Sequence, residues 1–160
     1  MGRYRIGLGT DTHRLLEGRP LVLGGIQIEH DKGLAGHSDA DVVLHAVIDA
    51  ILGASGLPDI GELFPDTDPA YQNADSRNLL REVMGQVSQR GLVVGNLDLV
   101  IHAEAPKLSP HKRTIAHSIA GLLDIGSDRV SVKAKTEEGL GTIGTGDAMA
   151  CTAVVLLTDR

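Results

Sequence analysis

The sequence predicts an α+β fold, with a mixed β-sheet and helices packed on one face, in a single domain spanning residues 1–160. Strand-like and helix-like segments mix without strict alternation, a pattern typical of helices layered on a sheet. A length of 160 residues suits one domain. Hydrophobic residues make up 42% of the chain, with no Trp, one Phe and two Tyr, so we expect an almost wholly aliphatic core.

The first segments favour strands. Residues 4–9 predict a strand that runs into a polar turn at residues 10–13. Leu21–Leu23 and Ile26–Ile28 flank two glycines and predict a short hairpin or bent strand. Residues 33–39 follow as a polar loop.

The first helix is predicted to begin near Asp39 or Asp41 and to end at Gly53 or Gly56. Its apolar residues recur at spacings of three and four, the helical period. They are Val43, Val47, Ala50, Ile51 and Ala54. A long loop with three prolines is expected over residues 58–71.

The second helix has a cap signal at Asp75 or Ser76 and a glycine stop at Gly91. Residues 92–102 predict a strand pair or one strand bent at Gly95-Asn96. Ser109-Pro110 is a start signal for a third helix that reaches about residue 123. Strands at residues 130–135 and 148–157 flank a glycine-rich loop at residues 137–146.

Charge and cysteine content exclude several classes of protein. The net charge of −6 does not attract phosphate backbones, so we expect no nucleic-acid partner. The single cysteine, Cys151, permits no intrachain disulfide and fits a reducing cytosol. No apolar run resembles a secretory signal or reaches the ~20 residues that cross a bilayer. We therefore expect a cytoplasmic protein without a membrane partner.

Asp11, His13 and His45 form a candidate metal site. Residues two apart in an extended segment point to the same side, so Asp11 and His13 can meet one ion. His45 lies in the first helix with Asp41 and Asp49 one turn away on either side, and either carboxylate can accept the second ring N–H. Two imidazoles and one carboxylate leave an open position, which is typical of catalytic zinc. A surface His and ordinary turn chemistry explain the same residues without a metal.

Three further groups are candidate phosphate or nucleotide contacts, each with a simpler explanation as a cap, a turn or a solvated loop. His37 and Ser38 precede the helix that carries His45, and helix N-termini attract anions. Lys107 follows a strand on a turn. The run from Lys135 through Thr136 and Glu137 to Glu138 offers a hydroxyl for a phosphoryl oxygen and carboxylates for Mg²⁺. Carboxylates at residues 59, 66 and 68 can bind polyol hydroxyls.

These residues resemble those of the 2-C-methyl-D-erythritol 2,4-cyclodiphosphate synthases, enzymes of non-mevalonate isoprenoid biosynthesis. The resemblance covers nearly the whole chain. Its motifs are DTH at 11–13, HSDAD at 37–41 followed by His45, DIGELFPDTD at 59–68, APK at 105–107 and VKAKT at 132–136. The long run at residues 59–68 is the most specific of them.

The resemblance implies a phosphorus–oxygen lyase that forms a cyclic diphosphate and releases CMP, built as an α+β homotrimer with sites at subunit interfaces. It implies one Zn²⁺ per subunit on Asp11, His13 and His45, and Mg²⁺ or Mn²⁺ on Glu138 with the substrate diphosphate. His37 and Thr136 would act in catalysis. The implied substrate contacts are Asp11, His13, His37, Ser38, Asp59, Ile60, Gly61, Phe64, Pro65, Asp66, Thr67, Asp68, Ala103, Ala105, Pro106, Lys107, Leu108, Lys135, Thr136, Glu137 and Glu138.

The chain departs from the family at a few positions. The family often has Thr-Thr-Thr-Glu at residues 135–138, but Thr136 and Glu138 stay in register. Many members have Phe and Arg where this chain has Thr142 and Thr145, so no contact is carried over to those two. Two other functions use the same ligands: a zinc-dependent phosphohydrolase of a small nucleotide-linked substrate, and a non-catalytic protein with a structural metal. The second needs a fourth protein ligand, and no His in a neighbouring segment supplies one.

Overall fold

The described part of the chain, residues 3–160 of a computed structural model, is built on a five-stranded mixed sheet. The strand order is β4-β1-β7-β5-β6, and only the β5–β6 pair is parallel. A separate two-stranded hairpin is formed by β2 and β3. The strands are β1 (Tyr4–Glu17), β2 (Leu21–Leu23), β3 (Ile26–Ile28), β4 (Lys32–Leu34), β5 (Leu92–His102), β6 (Val130–Lys135) and β7 (Ala148–Asp159).

Three long helices and two single-turn helices complete the fold, with 3-10 turns at Pro69–Tyr71 and Ser127–Arg129. The helices are α1 (Val42–Ser55), α2 (Ile60–Leu63), α3 (Ser76–Gln89), α4 (Lys112–Leu123) and α5 (Gly141–Gly144). The long helices cover one face of the sheet, and the predicted α+β class is confirmed. Within residues 3–160, no helix is long and apolar enough to cross a bilayer.

Alternating burial separates the two faces of the sheet. On β1 the odd-numbered positions face the helices, whereas Ile6 and Leu8 are 75% and 64% exposed on the other face. β7 repeats the pattern, since Cys151 and Val155 are buried and Val154 is largely exposed. The sheet therefore has one covered face and one open, partly apolar face.

Two glycines set the distance between α1 and the sheet. A Cβ at Gly7 would overlap the carbonyl oxygen of Ala50, and a Cβ at Gly9 would overlap that of Ala46. Only glycine permits this approach, so α1 lies against β1 with backbone nearly touching backbone. The core around α1 is aliphatic, as predicted, and its largest side chains include Leu44, Ile48, Ile51 and Leu52.

Several predicted boundaries differ from the structure. The polar turn predicted at residues 10–13 is wrong, because β1 continues through it to Glu17 in antiparallel pairing with β7. The polar loop predicted at residues 33–39 begins only after Leu34, because Lys32–Leu34 pairs with the end of β1 as β4. β5 is one strand with a bulge between Val94 and Asn96, where the glycine break was predicted. The third predicted helix begins at Lys112, three residues after Ser109. Residues 1 and 2 of the predicted domain at residues 1–160 lie outside the described residues.

Candidate metal centre and nucleotide pocket

Asp11, His13 and His45 converge on the helix side of the sheet. Asp11 and His13 project from β1 to the same face, and His45 lies in the first turn of α1. Oδ2 of Asp11 lies 2.8 Å from Nε2 of His13 and 3.1 Å from Nδ1 of His45. The two ring nitrogens are 3.1 Å apart. The structure therefore brings together, from two different elements, the three side chains that the sequence singled out.

The donor set fits a divalent ion. A tetrahedral Zn²⁺ with bonds of about 2.0–2.1 Å separates its ligand atoms by about 3.3 Å, close to the spacing of these three atoms. Nδ1 of His13 lies 2.7 Å from the carbonyl oxygen of Ala35, which can only accept, so Nδ1 carries the proton. Nε2 of His13 is then the ring nitrogen that faces Asp11 and that can bind a metal ion. The cluster can hold a metal ion with a coordination position left open.

The two histidines shift the ionisation of Asp11, and Asp11 shifts that of His13. Burial opposes ionisation of Asp11, but the hydrogen bonds and charges of His13 and His45 outweigh it and hold the pKa of Asp11 far below its ordinary value. Burial likewise disfavours the charged His13, yet Asp11 and the Ala35 carbonyl raise the pKa of His13 above its ordinary value. A negative Asp11 beside two imidazoles is an electrostatic site for a cation.

The residues around His45 differ from the expected carboxylate partners. Asp41 is fully buried, N-caps α1 and accepts from four backbone N–H groups. Asp49 accepts from the backbone N–H of Ile60. Nε2 of His45 instead lies 2.9 Å from Oγ of Ser76, the first residue of α3. Of the two predicted cap residues, Asp75 is the cap, since its side chain accepts from the backbone N–H of Arg77, and the side chain of Ser76 points inward instead.

The expected phosphate residues border this cluster. Oγ of Ser38 lies 3.2 Å from Nε2 of His45 and accepts from the backbone N–H of Ala40. His37 is exposed beside it. Arg19, which no motif or spacing singles out, donates to the carbonyl oxygen of Ser38 at 3.3 Å. A hydroxyl and two basic side chains therefore lie in or against one short loop next to the metal ligands.

In the loop at residues 59–68, two of the three aspartates have structural roles. Asp59 N-caps α2 and Asp68 N-caps the 3-10 turn at Pro69–Tyr71. Phe64 is buried and makes an edge-on contact with Tyr71, their ring centroids 5.3 Å apart. Asp66 and Thr67 are exposed. The exposed polar side chains in this loop that cap no helix are those of Glu62, Asp66 and Thr67.

The predicted nucleotide segments line a shared cavity at the other edge of the sheet. Its volume is about 290 Å³. It is lined by Ala103, Glu104, Pro106, Lys107, Leu108, Ser109, Ala134, Lys135 and Thr136. The structure therefore brings together the residues after β5 and the end of β6, which are 30 positions apart along the chain. Its charged side chains are those of Lys107, Lys135 and Glu104, and the rest of the lining consists of two hydroxyl residues and apolar residues.

Thr136 and Glu138 form a pair at the mouth of this cavity. The hydroxyl of Thr136 donates to Oε1 of Glu138 at 3.2 Å. Glu138 has a φ of 52°, in the left-handed region that non-glycine residues rarely adopt. The neighbouring Glu137 turns the other way, and its carboxylate lies 2.6 Å from Nδ1 of His102. The polar side-chain atoms of Thr136 and Glu138 therefore lie next to each other, whereas that of Glu137 is paired with His102.

The cluster of Asp11, His13 and His45 and the cavity beside Lys107 are far apart within one chain. Thr12, between the two metal ligands of β1, is level with Ala150 on β7, His102 on β5 and Lys135 on β6. Three strand spacings separate Thr12 from Lys135, about 14 Å. Glu138 accordingly lies outside the cluster of Asp11, His13 and His45.

Comparison with known proteins identifies the family. The YgbB family model matches residues 4–158. The 2-C-methyl-D-erythritol 2,4-cyclodiphosphate synthase of Bordetella avium is 56% identical over 154 residues, which cover 96% of this chain and 95% of that protein. The synthase of Synechococcus elongatus is 52% identical over 157 residues, 98% of each.

Solved structures agree in fold. A CDP complex of IspF from Plasmodium falciparum superposes with a TM-score of 0.86 at 36% identity, covering 98% of this chain and 97% of that chain. The bifunctional IspDF of Campylobacter jejuni gives a TM-score of 0.96 at 43% identity; this chain is covered completely and spans 43% of that longer protein. The chain therefore belongs to the YgbB family, together with the 2-C-methyl-D-erythritol 2,4-cyclodiphosphate synthases that it matches.

Proposed function

We propose that the chain converts 4-diphosphocytidyl-2-C-methyl-D-erythritol 2-phosphate to 2-C-methyl-D-erythritol 2,4-cyclodiphosphate and CMP. The observation that carries this proposal is the cluster of Asp11, His13 and His45 beside the hydroxyl of Ser38, in a chain of the YgbB family. A metal ligand set next to a hydroxyl and basic side chains suits phosphoryl transfer.

The reaction is a substitution at phosphorus within one molecule. An oxygen of the 2-phosphate forms a bond to the β-phosphorus, and the bond from that phosphorus to the bridging oxygen breaks. The electron pair leaves with CMP. The nucleophile is already anionic, so the protein needs no general base, and its task is to hold anionic groups together in line. Zn²⁺, when bound to Asp11, His13 and His45, supplies a Lewis acid for a phosphoryl oxygen.

The other residues position the substrate. Ser38 and His37 donate to phosphate oxygens next to the metal ligands. The loop at residues 59–68 holds the erythritol, with Asp66 and Thr67 free to bond its hydroxyls. The cavity beside Lys107 holds the cytidine. Thr136 donates to the β-phosphate as its charge grows, and Glu138 holds the Mg²⁺ or Mn²⁺ that accompanies the diphosphate.

We further propose a homotrimer with each site shared between neighbouring subunits. Two observations support it. The cluster around Asp11 and the cavity beside Lys135 lie about 14 Å apart in one chain, too far to act on one phosphoryl group. Ile6, Leu8 and Val154 leave an apolar patch on the open face of the sheet, and such patches mark association surfaces. Because the metal cluster faces the helices, a neighbouring copy on the open face would have to bring its cavity around the edge of β1 at Asp11 and His13, beyond the residues 15–17 that pair with β4.

Phosphorus NMR of the purified protein with the proposed substrate, Zn²⁺ and Mg²⁺ tests the reaction. We expect CMP and the coupled phosphorus signals of a cyclic diphosphate in equal amounts. A matched sample of the His45→Ala variant should leave the substrate unchanged. Orthophosphate or a linear product would instead support the zinc-dependent phosphohydrolase, which would use the same three ligands and a water molecule.

A further inference from the structure

A buried hydrogen-bonded chain continues from His45 away from the metal cluster. Nδ1 of His45 faces Asp11, and Nε2 lies 2.9 Å from Oγ of Ser76. The Ser76 hydroxyl in turn contacts Oδ1 of Asp39 at short range, and the Ser76 backbone N–H donates to Oδ2 of Asp39 at 3.0 Å. Ser76 is fully buried, so water does not compete for these bonds.

The direction of each proton in this chain follows from the groups present. An ionised carboxylate only accepts hydrogen bonds, so the Ser76 hydroxyl must donate to Asp39. With its proton committed, the Ser76 oxygen can only accept from His45. Nε2 of His45 therefore carries a ring proton, and Nδ1, which lies 3.1 Å from both Oδ2 of Asp11 and Nε2 of His13, is the nitrogen left to bind an ion.

We propose that the Asp39–Ser76 pair is a positioning device that fixes His45 in the Nε2–H tautomer and thereby prepares Nδ1 as a metal ligand. The proposal rests on the metal site proposed above. Without the pair, the ring proton can move to Nδ1, where the Asp11 carboxylate, 3.1 Å away, accepts it. A proton there occupies the place that the ion needs.

The pair also explains why Ser38 can serve the substrate. Oγ of Ser38 lies 3.2 Å from Nε2 of His45 and accepts from the backbone N–H of Ala40. Because Nε2 carries a proton, the oxygen of Ser38 need not donate to the ring. Its own hydroxyl proton stays available for a phosphate oxygen.

Two buried serines give a matched comparison. Ser76→Ala removes the acceptor for Nε2–H, and Ser76→Thr keeps a hydroxyl at the same place. Ser55→Ala is the control, because Ser55 is also buried on a helix and donates to the carbonyl oxygen of Ile51, away from the cluster. The loss of a partner behind a metal-bound His typically weakens metal affinity about 10–100-fold. We expect that loss in Ser76→Ala, recovery in Ser76→Thr and unchanged affinity in Ser55→Ala.

The decisive measurement locates the ring proton of His45 directly and needs no metal. Long-range ¹H–¹⁵N correlation spectra of the metal-free wild-type protein, with His45 assigned from the His45→Ala variant, should give the Nε2–H pattern for His45. Ser76→Ala should shift that pattern toward Nδ1–H, with thermal stability close to that of Ser55→Ala. An Nδ1–H pattern in the wild type would overturn the proposal, as would unaltered zinc affinity in a folded Ser76→Ala. If the wild type binds no zinc, the proposed metal site fails, whereas the tautomer pattern still decides the role of the pair.

Discussion

Oδ2 of Asp11 lies 3.1 Å from Nδ1 of His45, although 34 positions separate the two residues. The contact exists because α1 lies against β1 at backbone distance. Gly7 and Gly9 make that distance possible, since a side chain at either position would overlap a carbonyl oxygen of α1. The geometry of the metal cluster therefore depends on two positions without side chains, two and four residues before Asp11.

Gly9→Ala should destabilise the fold and loosen the cluster together. The added methyl group would overlap the carbonyl oxygen of Ala46, and backbone cannot move aside as a flexible side chain can. Overpacking of this kind costs about 3 kcal/mol at the upper end of the usual range. For a domain of this size that corresponds to a fall in Tm of roughly 6–12 °C. Calorimetry and zinc titration check both effects.

Gly53→Ala is the control for this substitution. Gly53 lies in the last part of α1, and nothing stands within 4 Å of the Cβ that alanine would add. Alanine in a helix interior is favoured over glycine by about 0.5–1 kcal/mol, so Tm should rise slightly. Equal destabilisation by both substitutions would contradict the close approach of α1 to β1.

His45→Ala should remove most of the bound zinc and nearly all turnover while the fold persists. Among residues 3–160, three side chains converge as candidate ligands and His45 supplies one of them, so its loss leaves two, which hold an ion weakly. His117→Ala is a suitable control, because His117 is exposed on α4. Metal analysis after dialysis and circular dichroism measure the two outcomes. A full complement of zinc in His45→Ala would disprove the ligand assignment.

The metal ligands could be predicted from residue type and spacing, but the elements that hold them could not be placed completely. Thr10 to His13 have turn-forming side chains, and the sequence predicted a turn there. In the structure this stretch pairs residue for residue with β7, Asp11 opposite Cys151. That pairing joins segments 140 positions apart, and local propensity contains no information about it.

Ser76, the hydrogen-bond partner of His45, could not be predicted from the sequence for a related reason. Helical spacing places Asp41 and Asp49 one turn away from His45, within reach of the ring by spacing alone. In the structure, however, Asp41 accepts from backbone N–H groups as the N-cap of α1, and Asp49 accepts from the backbone N–H of Ile60. Ser76 reaches the ring from another helix, a tertiary contact that periodicity along α1 cannot reveal.

Thr136→Ala should lower kcat more than it raises KM. The Thr136 hydroxyl lies at the mouth of the nucleotide cavity beside Glu138, where it can donate to a phosphate oxygen as negative charge develops. Loss of one such donor typically lowers kcat by roughly 10²-fold. Steady-state kinetics of Thr136→Ala should be compared with those of Thr114→Ala. Thr114→Ala is the control because Thr114 is exposed on α4. A raised KM with unchanged kcat would mean that Thr136 only binds the ground state.

Cys151 should resist thiol reagents in the native protein. The side chain is 1% exposed, and burial, followed by the charges of Asp41 and Asp11, raises the pKa of its thiol far above the ordinary value. The reactive species is the thiolate, so little reaction is expected at pH 8. Ellman's reagent should detect almost no thiol in the native chain and one per chain in guanidinium chloride. A Ser127→Cys variant, exposed at that position, should react at once, and equally fast reaction of native Cys151 would contradict its burial.

Ile6→Glu should separate the proposed trimer into single chains without emptying the metal site. Ile6 is 75% exposed on the open face of the sheet, opposite Leu156 in the register with β7. If neighbouring copies cover this face, an unpaired carboxylate there would be buried at a cost of several kcal/mol. Light scattering should report the mass of three chains for the wild type and the mass of one chain for Ile6→Glu. Gln89→Glu, at an exposed position on α3, is the control and should keep the mass of three chains. Because Asp11, His13 and His45 belong to one chain, zinc should stay bound while turnover falls, since the nucleotide cavity of the neighbour is lost. A trimeric Ile6→Glu variant, or a monomer with full turnover, would contradict a site shared between subunits.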